Sequence, residues 1–317
     1  MTGLWIILGV VGVLIILLFA IANKIFDVAV GAKKTKEKVM KTNANQRRNH
    51  GESGKSQKEL DNEWLAMQPL IQRRHISRDG LQLTARILPA NRSTDVWVLC
   101  IHGFAGKGLN LGMAARHWHE KGYHVLLPDL RGCGDSEGDY YGMGWLDRID
   151  MIDWIQNVVL MENKDAKVIL HGVSMGAAAV MMVTGEEALP SCVKVAIEDC
   201  GYTSVWEEFT IQLKKVFGLP QFPVMYLVNR MAKRRAGYTF KEASSVRQLE
   251  KSKTPTLFIH GDADTFVPFF MLDEVYNAAP CEKEKMIFSG AQHGESAIVD
   301  PERYWEAVHR FTGHHLK

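Results

Sequence analysis

The sequence predicts an α/β fold built on a doubly wound, mostly parallel β-sheet, and three observations support this prediction. Short apolar runs of the kind that form buried parallel strands recur from residue 96 onward. Stretches with helical character separate these runs and produce the alternation of strand and helix found in doubly wound sheets. Beyond residue 68 roughly 250 residues remain, which is enough for one large core without a second globular domain.

The predicted elements begin with a hairpin. The β-rich runs at 73–77 and 81–88 flank the turn-forming dipeptide Asp79-Gly80. The further predicted strands are at residues 96–101, 124–127, 167–171, 193–197, 256–260 and 285–288. The predicted helices are at residues 108–121, 145–161, 174–184, 271–279 and 301–311. Because ligands of such sheets bind outside the carboxyl ends of the strands, we expect a functional site among the loops there.

An insertion at about residues 201–253 interrupts this alternation. It is rich in large apolar side chains, which would form an adaptable apolar surface if the insertion were a helical lid over a site. The alternative is ordinary core packing of extra helices. The candidate lid residues are Trp206, Phe209, Phe222 and Met225.

Residues 1–23 form a predicted transmembrane anchor, because the stretch from residue 4 to residue 22 carries no charge and is long enough to span a bilayer as a helix. Residues 24–68 are predicted to form a basic, polar tether, and residues 69–317 the globular domain. Lysines and arginines follow the apolar stretch and none precedes it, so the positive-inside rule predicts a single-pass protein of the cell membrane with its domain in the cytoplasm. The alternative is a cleaved signal segment, since Ala20-Ile21-Ala22 resembles a cleavage site.

The pentapeptide Gly172-Val173-Ser174-Met175-Gly176 joins a predicted strand to a predicted helix. This pattern is typical of a nucleophile elbow, in which a strained turn exposes the serine hydroxyl and the flanking glycines prevent collisions of Cβ atoms. The alternative is a plain turn whose serine caps the helix. The elbow interpretation requires a histidine base and a carboxylate, because a serine hydroxyl is a poor nucleophile at neutral pH.

Both required partners have candidates at the ends of later strands. Asp264 follows one predicted strand and His293 follows the next, so the chain order is Ser, Asp, His. Asp262 competes with Asp264 for the carboxylate role, with loop capping as the other interpretation of Asp262.

At these residues the chain resembles the α/β-hydrolase superfamily, more narrowly its esterases and serine-aminopeptidase-like members. Those proteins carry the pattern H-G-x-x-D-x-x-V-P, which begins here at His260, followed by G-x-x-H, which begins at Gly290. The string D-x-R-G-x-G-x-S, which begins at Asp129, also resembles a recurrent loop of these hydrolases. The resemblance extends from about residue 71 to the C-terminus.

The resemblance implies an α/β-hydrolase fold with a short helical lid. Position by position, it makes Ser174 the nucleophile, Asp264 the acid and His293 the base. It also makes Phe104, in the loop that begins His102-Gly103, one backbone donor to an oxyanion.

A second oxyanion donor is expected at Met175, because this residue follows the nucleophile and opens a helix. His102 ends a predicted strand, and we interpret it as a hydrogen-bonded structural residue in preference to a second base.

Composition excludes several classes of function. The net charge is only +2 and the basic excess lies mainly in the tether, so nothing indicates nucleic-acid binding. The five cysteines show no paired spacing, and they are predicted to be free thiols in a reducing compartment. We expect no metal site and no organic cofactor.

The sequence therefore predicts a membrane-anchored serine hydrolase that cleaves carboxylic esters through an acyl-enzyme. The substrate would be a small acyl ester or a short peptide, and the membrane would be contacted through the N-terminal helix. A peptidase or a thioesterase is the nearest alternative, because the same residues cleave amides and thioesters. A membrane-bound protein that keeps the fold but only binds its ligand is a further alternative.

Overall fold

The computed structural model describes residues 2–32 and 56–316, and its centre is an eight-stranded sheet. In chain order the strands are β1 (Ile71–Ile76), β2 (Gln82–Leu88), β3 (Val96–Ile101), β4 (His124–Pro128), β5 (Lys167–Val173), β6 (Val193–Asp199), β7 (Thr256–Gly261) and β8 (Lys283–Phe288). Their order across the sheet is β1-β2-β4-β3-β5-β6-β7-β8. β1 and β2 are antiparallel to their neighbours, and every pair from β4 to β8 is parallel. The mostly parallel sheet that the sequence predicts is confirmed.

Helices cover both faces of this sheet. They are α1 (Thr2–Val30), α2 (Gln57–Ala66), α3 (Gly112–Glu120), α4 (Asp147–Trp154), α5 (Met175–Thr184), α6 (Val205–Phe217), α7 (Val224–Arg235), α8 (Ser245–Leu249), α9 (Phe270–Ala278), α10 (Ser296–Val299) and α11 (Pro301–His315). Successive side chains of a strand point to opposite faces. In β3, Leu99 and Ile101 therefore pack in the core with α4 to α7, whereas Val98 and Cys100 pack in the core with α2, α3 and α11.

Helix α1 extends beyond the predicted end of the anchor at residue 23. Side chains from residue 4 to residue 21 are mostly exposed, while Ala22, Phe26 and Val30 are fully buried on one face that packs against α7. The guanidinium of Arg235 lies 5.3 Å from the ring centroid of Phe26. Among the described residues, α1 is the one helix that is long and apolar enough to cross a membrane.

The region predicted as a tether, residues 24–68, contains parts of two helices. Residues 24–30 continue α1, and residues 57–66 form α2, while residues 33–55 lie outside the described part of the chain. Helix α2 begins with a capping box between Ser56 and Glu59, and it buries Leu65 completely. The capping box and the apolar Leu65 are local sequence signals for a helix, but the polar composition of this region favoured the prediction of a tether.

The predicted helix at 108–121 is also interrupted. A 3₁₀ turn, Gly108–Asn110, precedes α3, and the Gly108 amide at its start donates to the Asp129 carboxylate at 2.7 Å. Glycine at position 112 lets α2 and α3 approach closely, since a Cβ atom there would lie 2.3 Å from the backbone of Asp61.

The predicted helix at 145–161 corresponds to α4, which continues as a π-helical turn, Ile155–Val159, and a short helical segment, Leu160–Glu162. The remaining predicted helices match α5, α9 and α11 to within a few terminal residues.

The insertion between β6 and β7 contains α6, α7 and α8. Helix α7 packs against the C-terminal part of α1, and both α6 and α7 contribute to the larger hydrophobic core. The insertion is therefore helical, as predicted, and α1 is one of its packing partners.

Candidate active site

Ser174 occupies a strained turn between β5 and α5. Its backbone angles are φ 59° and ψ −121°, a conformation that costs of order 1–3 kcal/mol for a residue with a side chain. A Cβ atom on Gly172 would lie 2.2 Å from the carbonyl oxygen of Gly176, and one on Gly176 would lie 2.1 Å from that of Ile101. The Ser174 amide donates to the carbonyl of Asp199 at 2.8 Å. This geometry is that of a nucleophile elbow.

The structure brings Ser174, His293 and Asp264 together in one hydrogen-bonded chain. His293 Nε2 lies 2.8 Å from Ser174 Oγ, and His293 Nδ1 lies 2.7 Å from Asp264 Oδ2. The aspartate side chain is fully buried, whereas the histidine is 24% exposed. With Nδ1 donating to the carboxylate, Nε2 is left as the acceptor for the serine hydroxyl proton.

Asp264 is held as an anion by its surroundings. Its Oδ1 accepts the backbone amides of Phe266 and Val267 at 2.8 and 3.0 Å, and His260 Nε2 lies 3.3 Å from its Oδ2. Burial by itself would raise the pKa of this carboxyl, but the hydrogen bonds from His260 and His293 outweigh it and lower the pKa to about 2. The carboxylate is therefore charged throughout the neutral range.

Asp262, the competing carboxylate, has another role. It accepts a hydrogen bond from the Gly290 amide at 2.6 Å and so ties the loop of Asp264 to the loop of His293. This contact agrees with the loop-capping interpretation of Asp262.

The loop after β3 packs directly on Ser174. A Cβ atom on Gly103 would lie only 3.2 Å from Ser174 Cβ. His102 fixes this loop, because its Nδ1 donates to the Gly103 carbonyl at 2.7 Å while its Nε2 accepts the Leu130 amide at 3.0 Å. The Gly103 carbonyl and the Phe104 amide belong to one planar peptide group, so the first contact also sets the direction of the Phe104 N–H.

The environment of His102 favours its neutral form. Burial lowers the pKa of its imidazole, and a neutral ring is the form that donates from one nitrogen and accepts at the other. On the opposite side of the serine, Met175 is the first residue of α5, where backbone N–H groups have no acceptor within the helix. Phe104 and Met175 both line the space beside Ser174.

A cavity of about 220 Å³ adjoins Ser174, and its walls are almost entirely apolar. Phe209 and Met225, two of the four candidate lid residues, lie in the wall. The polar side chains of Glu208 and Gln212 also line it and hydrogen-bond to each other at 2.9 Å. Glu208 Oε2 has no hydrogen-bond partner among the described residues, and burial raises the pKa of Glu208 to about 8, so its carboxyl is mostly uncharged at neutral pH. An apolar chamber of this kind suits a hydrocarbon group.

The other two candidate lid residues, Trp206 and Phe222, do not line this cavity. Trp206 packs edge-on against Tyr226 and lies beneath the ammonium group of Lys241, at 4.4 Å from the ring centroid. Phe222 is 72% exposed in the loop between α6 and α7. Apolar character alone did not reveal which face of the insertion each side chain occupies.

A second cavity, of about 640 Å³, lies on the other side of Ser174 and has a mixed polar and apolar lining. Asn110, Asp199 and His293 are among its polar residues. Ser174 and Phe104 line both cavities. The serine hydroxyl is thus at the junction of an apolar chamber and a more polar one.

Two further residues lie at this site without a role predicted from the sequence. His260 Nε2 donates to the Val267 carbonyl at 3.0 Å and also lies 3.3 Å from Asp264 Oδ2. Its position four residues before Asp264 in the H-G-x-x-D pattern was the signal that could have identified it. Asp199 ends β6, accepts a hydrogen bond from Ser296 Oγ at 3.2 Å, and has its pKa raised to about 6 by burial. No motif in the sequence marks Asp199.

The fold and this site define a hydrolase of the α/β class. The model of the Alpha/beta hydrolase family matches residues 98–307, and the chain belongs to that family.

Particular relatives can be named. The Bacillus subtilis protein YqkD is 24% identical over 247 residues, which are 74% of this chain and 81% of YqkD. The Saccharomyces cerevisiae protein YNL320W, described as a membrane protein, is 22% identical over 74% of this chain and 77% of its own length.

Solved structures show the same fold. The Pyrococcus furiosus esterase Pf2001 superposes with a TM-score of 0.62 at 19% identity, over 84% of this chain and 97% of the esterase. The Pyrococcus horikoshii acylaminoacyl peptidase superposes with a TM-score of 0.59 at 17% identity, over 81% of this chain and 44% of the peptidase. These likenesses establish the α/β-hydrolase fold.

Proposed function

We propose that this protein is a membrane-anchored serine hydrolase that cleaves carboxylic esters through an acyl-enzyme intermediate. The observation that carries the proposal is the continuous hydrogen-bonded chain from Ser174 through His293 to Asp264. A hydroxyl, an imidazole and a buried carboxylate in this order are the parts that acyl transfer requires.

In the first half of the proposed reaction, Ser174 Oγ attacks the carbonyl carbon of the ester while His293 Nε2 takes the hydroxyl proton. Asp264 holds the imidazole in the required tautomer and stabilises its cationic form. The Phe104 and Met175 amides stabilise the oxyanion of the tetrahedral intermediate, at a typical worth of about 3 kcal/mol per donor. Collapse of the intermediate breaks the ester C–O bond, and His293 returns its proton to the leaving alcohol.

The second half repeats this chemistry with water. His293 takes a proton from the attacking water, a second tetrahedral intermediate forms on the acyl carbon, and its collapse releases the carboxylic acid and restores the Ser174 hydroxyl. No redox partner enters these steps, and the atoms of ester and water balance those of acid and alcohol.

Two features support an ester as the substrate. The apolar cavity beside Ser174 suits an acyl group, and the esterase Pf2001 has the same fold. Peptide cleavage is the second candidate, because the likeness to acylaminoacyl peptidase extends over most of this chain. Thioester cleavage remains a prediction from the sequence alone.

Membrane anchoring is supported by α1, whose side chains up to residue 21 are mostly exposed and apolar. The description of the yeast relative YNL320W as a membrane protein agrees with it. The lysines that follow the apolar stretch support a cytoplasmic hydrolase domain.

The decisive test is Ser174→Ala in the full-length protein. We expect this variant to lose labelling by a fluorophosphonate probe and to lose hydrolysis of p-nitrophenyl butyrate, because the nucleophilic oxygen is absent. The matched control is Ser191→Ala, which removes an exposed serine from the loop before β6 and should leave both properties unchanged.

Unchanged labelling of a folded Ser174→Ala variant would contradict the proposal. Absence of labelling and turnover in the wild-type protein, on ester, thioester and aminoacyl amide panels alike, would favour the binding protein instead. Faster turnover of the amides than of the esters would favour the peptidase.

A further inference from the structure

The wall of the apolar cavity contains part of the N-terminal helix. Ile25, Val28 and Ala29 of α1 line the same chamber as Ser174. They face the cavity together with residues of the insertion, and they belong to the segment of α1 that is docked on the domain. One continuous helix therefore links the apolar N-terminal segment to the space beside the nucleophile.

The position of these residues along α1 determines where the cavity would lie relative to a membrane. The exposed apolar segment, from residue 2 to residue 21, is about 30 Å long as a helix and matches the hydrocarbon thickness of a bilayer. Ile25 and Ala29 lie about 6 and 12 Å further along the helix axis. A headgroup layer is about 5–7 Å thick, so this cavity wall starts at the level of the lipid headgroups.

The rim of the cavity is apolar where it reaches the surface. Val28 of α1 is 56% exposed, and Val216 and Phe217 at the end of α6 are 64% and 47% exposed, although all three line the cavity. Exposed apolar side chains around an opening are costly in water and favourable against lipid. The rim includes Val28, about 10 Å along the helix axis from residue 21, so the opening lies a few ångströms outside the headgroup layer of the membrane from which α1 emerges.

We propose that the acyl group of the substrate is a long hydrocarbon chain drawn from the lipid bilayer, and that it passes along α1 between Val28 and Val216 into the cavity beside Ser174. This inference rests on the proposed function and adds the substrate class to it. The second cavity beside Ser174, whose mixed lining includes Asn110, Asp199 and His293, then receives the alcohol part of the lipid ester. The helix that anchors the enzyme is also part of its acyl-binding site.

This inference can be tested with substitutions that partly fill the cavity with a larger side chain. Ala29→Trp places a bulky ring in the wall contributed by α1, so the ratio of p-nitrophenyl dodecanoate turnover to butyrate turnover should fall at least about tenfold relative to the wild type. Val216→Trp, from the opposite side of the rim, should give the same chain-length profile without altering α1. The matched control, Ala20→Trp, lies on the exposed part of α1 and should hydrolyse both esters as the wild type does.

Labelling by a small fluorophosphonate separates failure of this inference from failure of the proposed function. If labelling and butyrate turnover persist but neither Trp variant discriminates against the long chain, the acyl route along α1 is wrong and the serine hydrolase stands. If the wild-type protein neither labels nor cleaves the butyrate, the proposed function itself is wrong. If Ala29→Trp loses labelling because it misfolds, the chain-length profile of Val216→Trp tests the acyl route in its place.

A second arm tests the source of the chain. The protein is reconstituted in phosphatidylcholine vesicles, and p-nitrophenyl palmitate is supplied either in those vesicles or in separate vesicles without protein. We expect hydrolysis at least about tenfold faster when ester and protein share a bilayer, because entry is lateral. Equal rates, or no cleavage of palmitate by a protein that cleaves butyrate, would overturn entry from the bilayer.

Discussion

Ser174 keeps an unfavourable backbone conformation because its neighbours leave it no relaxed alternative. The close approach of Gly172 to Gly176 and the hydrogen bond to Asp199 both depend on the sharp turn. Strain of this kind is concentrated at functional sites, and here it directs the hydroxyl toward His293 Nε2. The backbone of Gly172, Gly176 and Asp199 therefore fixes the position of the Ser174 hydroxyl in the site.

His102 provides a prediction at this scale. His102→Gln loses at least one of its two backbone hydrogen bonds, so the peptide between Gly103 and Phe104 is less well oriented. We expect kcat for an ester substrate to fall about tenfold to a hundredfold with little change in KM, because a misplaced oxyanion donor affects the transition state more than substrate binding. Steady-state kinetics on p-nitrophenyl butyrate measures this.

The control for His102 is His124→Gln. His124 also accepts a hydrogen bond from a backbone amide, that of Ala90 at 3.1 Å, but it begins β4 and is far from the carboxyl ends of the strands. The kcat of the His124→Gln variant should match that of the wild type. A larger loss for His124→Gln than for His102→Gln would show that the effect is general destabilisation and not orientation of the oxyanion loop.

The β5–α5 elbow gives a prediction at the scale of the element. Gly176→Ala places a methyl group 2.1 Å from the Ile101 carbonyl, which is backbone and has little freedom to move. We expect the free energy of unfolding to fall by about 1–3 kcal/mol and fluorophosphonate labelling to slow. Chemical denaturation followed by tryptophan fluorescence measures the first effect.

Gly313→Ala is the matched substitution for comparison. Gly313 lies in α11, and no atom of another element lies within 4 Å of the place that a methyl group would take there. Its replacement should therefore leave stability unchanged or raise it by a few tenths of a kcal/mol, as for a helical glycine in open space. If both alanines had the same effect, crowding at the elbow would not be its cause.

The elements that could be predicted from the sequence are those whose signals are local. β5 and β7 are continuous apolar runs, and the turns that follow them carry the Gly-x-Ser-x-Gly and H-G-x-x-D patterns, so Ser174 and Asp264 could be assigned to strand ends. The start of α3 could not be predicted, because it depends on how closely α2 approaches Gly112. The orientation of the insertion helices depends likewise on distant partners, so the sequence could not distinguish Trp206 and Phe222, which lie outside the cavity wall, from Phe209 and Met225, which lie in it.

At the scale of the whole molecule, the positions of Ser174, Asp264 and His293 could be predicted from local sequence signals, whereas the cavity beside them depends on contacts between distant segments. Ser174, Asp264 and His293 follow β5, β7 and β8, which belong to one run of parallel strands, and parallel topology brings the carboxyl ends of these strands to one edge. The apolar cavity, in contrast, requires α1 to fold back onto α7, a contact between segments about two hundred residues apart. No motif in the sequence encodes that contact, and a polar tether was predicted where α1 continues.

The orientation of the anchor gives a prediction for intact cells. A charged fluorophosphonate that does not cross membranes should label Ser174 only after the cells are permeabilised, because the lysines beyond the apolar stretch favour a cytoplasmic domain. Gel analysis of labelled membranes measures this, and the Ser174→Ala variant identifies the specific band. Equal labelling of untreated cells would place the domain on the outer side.

The junction of two unlike chambers at Ser174 has a consequence for how the proposed reaction ends. Hydrolysis of a lipid ester would yield an apolar fatty acid in the apolar cavity and a more polar alcohol in the cavity of mixed lining. In the proposed reaction the fatty acid would leave laterally into the membrane, and the alcohol would diffuse into the aqueous phase. Accumulation of either product would therefore slow a different half of the catalytic cycle.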